Sequence, residues 1–181
     1  MTGARLLASQ ADAELLARGG KGDFQWGDTS PYRAVKTDRI LQDNEKVTLG
    51  GVALQALATP GHTKGATTWT VSVEENGEPV SVVFISSVTA HRLVNNVAYP
   101  EILDDYRRSF ERLKRLRCDV FLAPHGRFFG LAEKAQQMRA GGCNPFVDTG
   151  ALQNHVAHWE QLFSQSLKEQ EAAARAKKVS F

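Results

Sequence analysis

Cysteine is scarce in this 181-residue chain, which carries only Cys118 and Cys143. Two isolated cysteines are more often plain buried thiols than a bridge, and composition does not decide between them. An excess of one charge is also missing. Lysine plus arginine number 22 against 20 aspartate plus glutamate, a net +2. No basic stripe interleaved with aromatics occurs, which argues against a nucleic-acid binder. The run from Arg175 to Lys178 reads as a solvated helix end. No apolar stretch approaches the ~20 residues that span a bilayer, which argues against a membrane protein. Met1 to Arg5 lead straight into a strand-like pattern, without the outline of a signal peptide. A serine-nucleophile elbow, a phosphate-cradling glycine loop and a dinucleotide fingerprint are absent too.

What is present is ordinary for a soluble globular chain of one domain: 42% hydrophobic and 23% charged residues. Residues 4–8 predict a short buried strand. Ser9 predicts a helix start, with Asp12 in capping-box position and Gly19-Gly20 as the stop. Residues 21–34 read as a loop anchored by Phe24 and Trp26. Strands are expected over 39–41, 46–49, 52–58, 67–73 and 80–85, the last two joined by an Asn76-Gly77 hairpin turn.

Residues 99–116 give the clearest helix. Ile102, Tyr106, Phe110 and Leu113 fall on one face, and Asp104, Arg108, Glu111 and Arg115 on the other. A strand over 120–123 and helices over 131–140 and about 152–177 follow. This order of hairpins, then helix, strand and helix predicts α+β layers, a sheet covered by helices.

Two histidines sit in strand-end loops. His62 lies in Thr59-Pro60-Gly61-His62-Thr63, and His125 in Ala123-Pro124-His125-Gly126. Such loops place a side chain on a rigid scaffold with open access, as a catalytic metal requires. Taken alone, a histidine in a turn is more often a surface or capping residue than a ligand.

The wider spelling carries more. Thr59 to Trp69 (TPGHTKGATTW) resembles the third metal motif of the metallo-β-lactamase superfamily, in the form found in class B β-lactamases of the third subclass. Ala8 to Gly20, Asp23 to Gly27, Gly50 to Val52, Tyr99 to Arg108, Arg117 to Asp119 and Pro124 to Gly126 are similar to that subclass in the same order. The resemblance covers roughly residues 3–165.

The resemblance implies part of an αββα sandwich, its C-terminal half plus central part, as one incomplete domain over residues 1–181. It implies zinc-dependent hydrolysis of the β-lactam ring, with two zinc ions at a complete site. Zinc lowers the pKa of bound water to roughly 7, which supplies hydroxide for attack on the strained carbonyl. His62 takes the place of the histidine completing the three-histidine zinc site, and His125 that of a ligand to the second zinc. Ser87 and Thr89 match the hydroxyls that hold the substrate carboxylate. Cys118 and Cys143 match a disulfide pair, hence a periplasmic location.

The superfamily's main signature, His-x-His-x-Asp-His, does not occur in these 181 residues. A catalytic zinc needs about three protein ligands, and the chain offers one histidine to each metal. Two alternatives therefore stay open. One is another hydrolase of the superfamily, acting on a thioester, lactone or phosphodiester. The other is a non-catalytic remnant or interaction module. An incomplete sandwich is also expected to expose an apolar sheet face and to aggregate, or to pair with another copy. His155 and His158 read as a polar flank of the last helix, His91 as a loop residue, and Asp104-Asp105 as solvent-facing.

Overall fold

The computed structural model describes residues 3–179; Met1 and Thr2, where the reading of the chain's start falls, lie outside it. Strand β1 (Leu7–Ser9) pairs in parallel with β2 (Arg39–Leu41), and helix α1 (Gln10–Ala17) lies between them in sequence. Ser9 caps α1, its hydroxyl accepting from the Asp12 N–H, so the helix starts where expected, but the Asp12 carboxylate accepts from Thr63 instead of completing a capping box. Gly19 and Gly20 follow with positive φ, as a helix stop requires.

The main sheet has the order β3-β4-β5-β6-β7, formed by Lys46–Leu49, Val52–Ala58, Thr67–Glu75, Glu78–Phe84 and Val120–Leu122. Its first four strands run antiparallel; β6 and β7 are parallel, linked by a crossover through helix α2 (Ile102–Lys114). Glu75 pairs with Glu78 across a two-residue turn in which Asn76 and Gly77 both have positive φ, the hairpin geometry that Asn-Gly favours. Helix α3 (Leu131–Ala140) and the long α4 (Ala151–Val179) complete the chain. Among the described residues no helix is long and apolar enough to cross a membrane.

Helices α2 and α4 pack on one face of this sheet. Ile102, Tyr106, Phe110 and Leu113 of α2 meet Val83, Ile85 and Phe121 beneath them, with Leu152, Val156 and Phe163 from α4. All are almost fully buried. A buried side chain of this size contributes about 2 kcal/mol by leaving water. The fold is therefore the expected α+β layering.

Two polar readings change. Asp105 is buried, not solvent-facing: the Tyr99 hydroxyl donates to its carboxylate, which also pairs with Arg108. Its neighbour Asp104 is exposed and pairs with Arg107. His155 is not a plain polar flank. It packs against Phe121, Phe128 and Trp159, with ring centroids 4.8 Å, 5.6 Å and 6.2 Å away.

Burial, and then the neighbouring His158, lower the His155 pKa from 6.5 to about 4. The unfolded chain takes up a proton near pH 6.5 that the folded chain refuses until about pH 4. Stability is therefore full above that window and falls as the pH drops through it. The thermal midpoint should decline from pH 6.5 towards pH 4, and less steeply in His155→Gln. Equal slopes in melts followed by circular dichroism would assign the acid loss to other groups.

Candidate functional site

The site forms where the loop after β4 meets the loop after β6. Residues 59–65 fold back on themselves: the Thr59 N–H donates to Ala66 at 2.8 Å, and the Gly61 N–H to Thr63 at 2.9 Å. The Thr59 and Thr68 hydroxyls, both buried, meet at 2.9 Å and tie the loop's two stems. Gly65 lies so close to α1 that a Cβ there would sit 2.0 Å from the Ser9 hydroxyl. That hydroxyl donates to the Gly65 carbonyl at 2.9 Å. The glycine thus allows a contact that any side chain would block.

His62 projects from this loop into a cavity of about 500 Å³. Asp12, Thr63, Trp69, Ser86 and Ser87 also line it. The His62 Nδ1 is 2.9 Å from the Thr89 carbonyl oxygen and 3.0 Å from the Thr89 hydroxyl. The Ser87 hydroxyl is 3.1 Å from that of Thr89. His62, Ser87 and Thr89 are therefore one connected polar group. His91 stands beside it, its ring centroid 6.3 Å from that of His62. Burial, then His62, lower its pKa.

His125 is exposed at the end of β7, its ring edge-on to Phe128 at 5.1 Å. Pro124, the residue before it, lines the same cavity as His62. His125 itself does not line that cavity, so His62 and His125 are not brought together around it. The cysteines lie elsewhere. Cys118 is a buried free thiol, which burial pushes up to about 11, and Cys143 is an exposed free thiol.

Asp12 escaped the sequence reading except as part of a helix cap. Burial raises its carboxyl above the ordinary value, against the lowering effect of hydrogen bonds from Thr63 and Gly65. The Thr63 hydroxyl donates to it at 3.3 Å. A short polar residue at a helix start gives no sign that its carboxyl reaches a loop 51 residues away.

Among the described residues, no group of three histidine, cysteine, aspartate or glutamate side chains is arranged to hold a metal ion. A catalytic zinc takes about three protein ligands and an open position. The donors present do not by themselves fit zinc.

A mixed sheet backed by helices on one face, with His62 in a strand-end loop lining a cavity, places the chain among α+β folds whose site is built on loops. No family model matches the chain. Solved structures do. A HARLDQ-motif mutant of the metallo-β-lactamase from Cronobacter sakazakii superposes with a TM-score of 0.88 at 41% identity, over 94% of this chain and 67% of that one. The native FEZ-1 metallo-β-lactamase from Legionella gormanii gives 0.90 at 36% identity, over 93% and 66%. BJP-1, a subclass B3 metallo-β-lactamase of Bradyrhizobium japonicum, gives 0.89 at 37% identity, over 96% and 66%. This chain belongs to the metallo-β-lactamase family, in its third subclass. It spans about two thirds of the length of the solved structures it matches.

Proposed function

We propose that this chain serves zinc-dependent hydrolysis of the β-lactam ring, with His62 and His125 as metal donors and Ser87 and Thr89 as the hydroxyls that orient the substrate carboxylate. The observation that carries this reading is the coupling of His62 to Thr89 and Ser87, with His62 and Ser87 lining one cavity, in a chain of this family. A neutral imidazole bound through Nδ1–H to a carbonyl offers Nε2 as a donor, the usual outer-sphere support of a metal-binding histidine.

The donor count favours a second reading, a non-catalytic chain. One experiment separates the two. The purified chain, with zinc added and then chelated, is assayed for hydrolysis of a chromogenic cephalosporin. The assay is repeated after co-refolding with the third of the Legionella gormanii enzyme that the match leaves uncovered. The proposal expects no turnover from the chain alone, and chelator-sensitive turnover from the mixture that His62→Ala abolishes. A mixture without turnover, although it co-purifies as one complex, would establish the non-catalytic reading.

Two further proposals belong to the same reading. The main sheet leaves one face uncovered, where Val47, Leu54, Trp69, Val71, Val82, Phe84 and Leu122 line an open groove of about 360 Å³. At a strand spacing of about 4.8 Å and a rise of about 3.3 Å, five strands present about 450 Å². Two such faces together approach the ~1000 Å² at which specific interfaces begin. A second copy therefore fits this face. Sedimentation should show a dimer, and Phe84→Lys a monomer that keeps the parent's circular dichroism spectrum; a monomeric parent chain would refute it.

The second concerns Cys118 and Cys143, proposed to bridge in an oxidising compartment, the periplasm. The segment carrying Cys143 runs back beside β7: Val147 bridges to Val120, and the Asp148 N–H donates to Asp119 at 2.8 Å. Thiol titration of unfolded chain exported to the periplasm should find no free thiol. Finding both free would remove the bridge and the argument for that location.

A further inference from the structure

One stripe of helix α2 grips the loops that carry the site. Tyr106, Ser109 and Arg112 recur at three-residue spacing, so they share a face. The Tyr106 hydroxyl donates to the Thr89 carbonyl at 2.6 Å, the Ser109 hydroxyl to Pro60 at 2.6 Å, and the Arg112 guanidinium to Ala58 at 3.0 Å. Three donors of one helix thus hold three carbonyls around His62, two in its own loop stem and one across the site. Tyr106 makes a second contact. Gly61, the residue before His62, lies flat on its ring, and a Cβ at Gly61 would come within 2.8 Å of that ring.

The Thr89 carbonyl is the junction. It accepts from Tyr106 at 2.6 Å and lies 2.9 Å from the His62 Nδ1. A carbonyl oxygen cannot donate, so this contact is a hydrogen bond only when Nδ1 carries the proton, which in the neutral ring leaves Nε2 bare. The Thr89 hydroxyl, 3.0 Å from Nδ1, is the competing partner, since it can donate to a bare Nδ1.

We propose that Tyr106 is a positioning residue for His62: its hydroxyl fixes the Thr89 carbonyl, and that carbonyl holds the imidazole as the Nδ1–H tautomer with Nε2 free for a ligand. The consequence for a metal rests on the reading of His62 given above, but the geometry does not. Burial keeps the Tyr106 phenol protonated by raising its pKa, so the donor is always present. Such a tether acts before any ligand arrives and removes the need to turn the ring on binding.

The test is the long-range proton–nitrogen spectrum of the ¹⁵N-labelled full chain, recorded without metal or substrate. His62 should report a protonated Nδ1 and a bare Nε2. In Tyr106→Phe the ratio of tautomers should move by about fivefold towards Nε2–H, the weight of one neutral hydrogen bond. Tyr99→Phe removes a buried hydroxyl that serves Asp105 instead, and should leave the ratio unchanged. A His62 protonated on Nε2 in the parent chain overturns the proposal without any variant. So does a Tyr106→Phe spectrum equal to that of the parent, or an equal shift in Tyr99→Phe. A failure of hydrolysis would leave these outcomes untouched, because no turnover is read.

Discussion

The packing of helix α2 on the sheet is the constraint from which the rest follows. Its apolar face supplies Ile102, Tyr106, Phe110 and Leu113 to the core. The same helix forms the crossover that lets β7 lie parallel to β6, and so places the Pro124-His125 turn. Its polar edge reaches past the core to the loop of His62. Core, topology and site are thus fixed by one element, and a shift of α2 would be felt at all three.

That coupling shows what a sequence carries and what it withholds. Strands 39–41, 46–49 and 52–58 and the helix over 131–140 were legible with their bounds, because each is a short apolar or helix-forming run closed by turn residues. The Asn76-Gly77 turn was legible from backbone chemistry alone. His62, Ser87 and Thr89 were singled out by motif spelling and stand in one hydrogen-bonded group, whereas His125, singled out in the same way, does not line their cavity. Tyr106 was read by periodicity as a core residue, which it is, but periodicity does not register a hydroxyl at the rim of a buried ring. Asp105 was missed for a related reason. Its partner, the Tyr99 phenol, lies outside the helix, and only the fold brings the two together. Polar groups that reach across elements leave no periodic trace.

The histidines make the same point from the other side. His155 and His158 have the spacing of a helical metal site, and His62 and His125 have none. Yet His155 is enclosed by Phe121, Phe128 and Trp159, which disfavour its charged form. His62 stands among hydroxyls and a carbonyl that orient its ring. Enclosure by aromatics stabilises packing, whereas anchoring through one nitrogen leaves the other available for a ligand. Environment, not spacing, distinguishes an imidazole enclosed by packing from one with a nitrogen left open.

The two faces of β5 carry the argument one step further. Thr68 turns towards the helices and is fully buried, with Thr70 on the same side. Trp69, Val71 and Val73 turn the other way, paired across the strands with Phe84, Val82 and Val80. The strand thus gives its polar alternates to the covered face and its apolar ones to the open face. A sheet whose free face met only water would show the reverse. Phe84 is 43% exposed and Val73 40%, an arrangement of the kind that marks an interaction surface. The cavity below His62 borders this face, since Trp69 and Phe84 line both. A surface packed on this face of the sheet would therefore also border the cavity of His62 from that side.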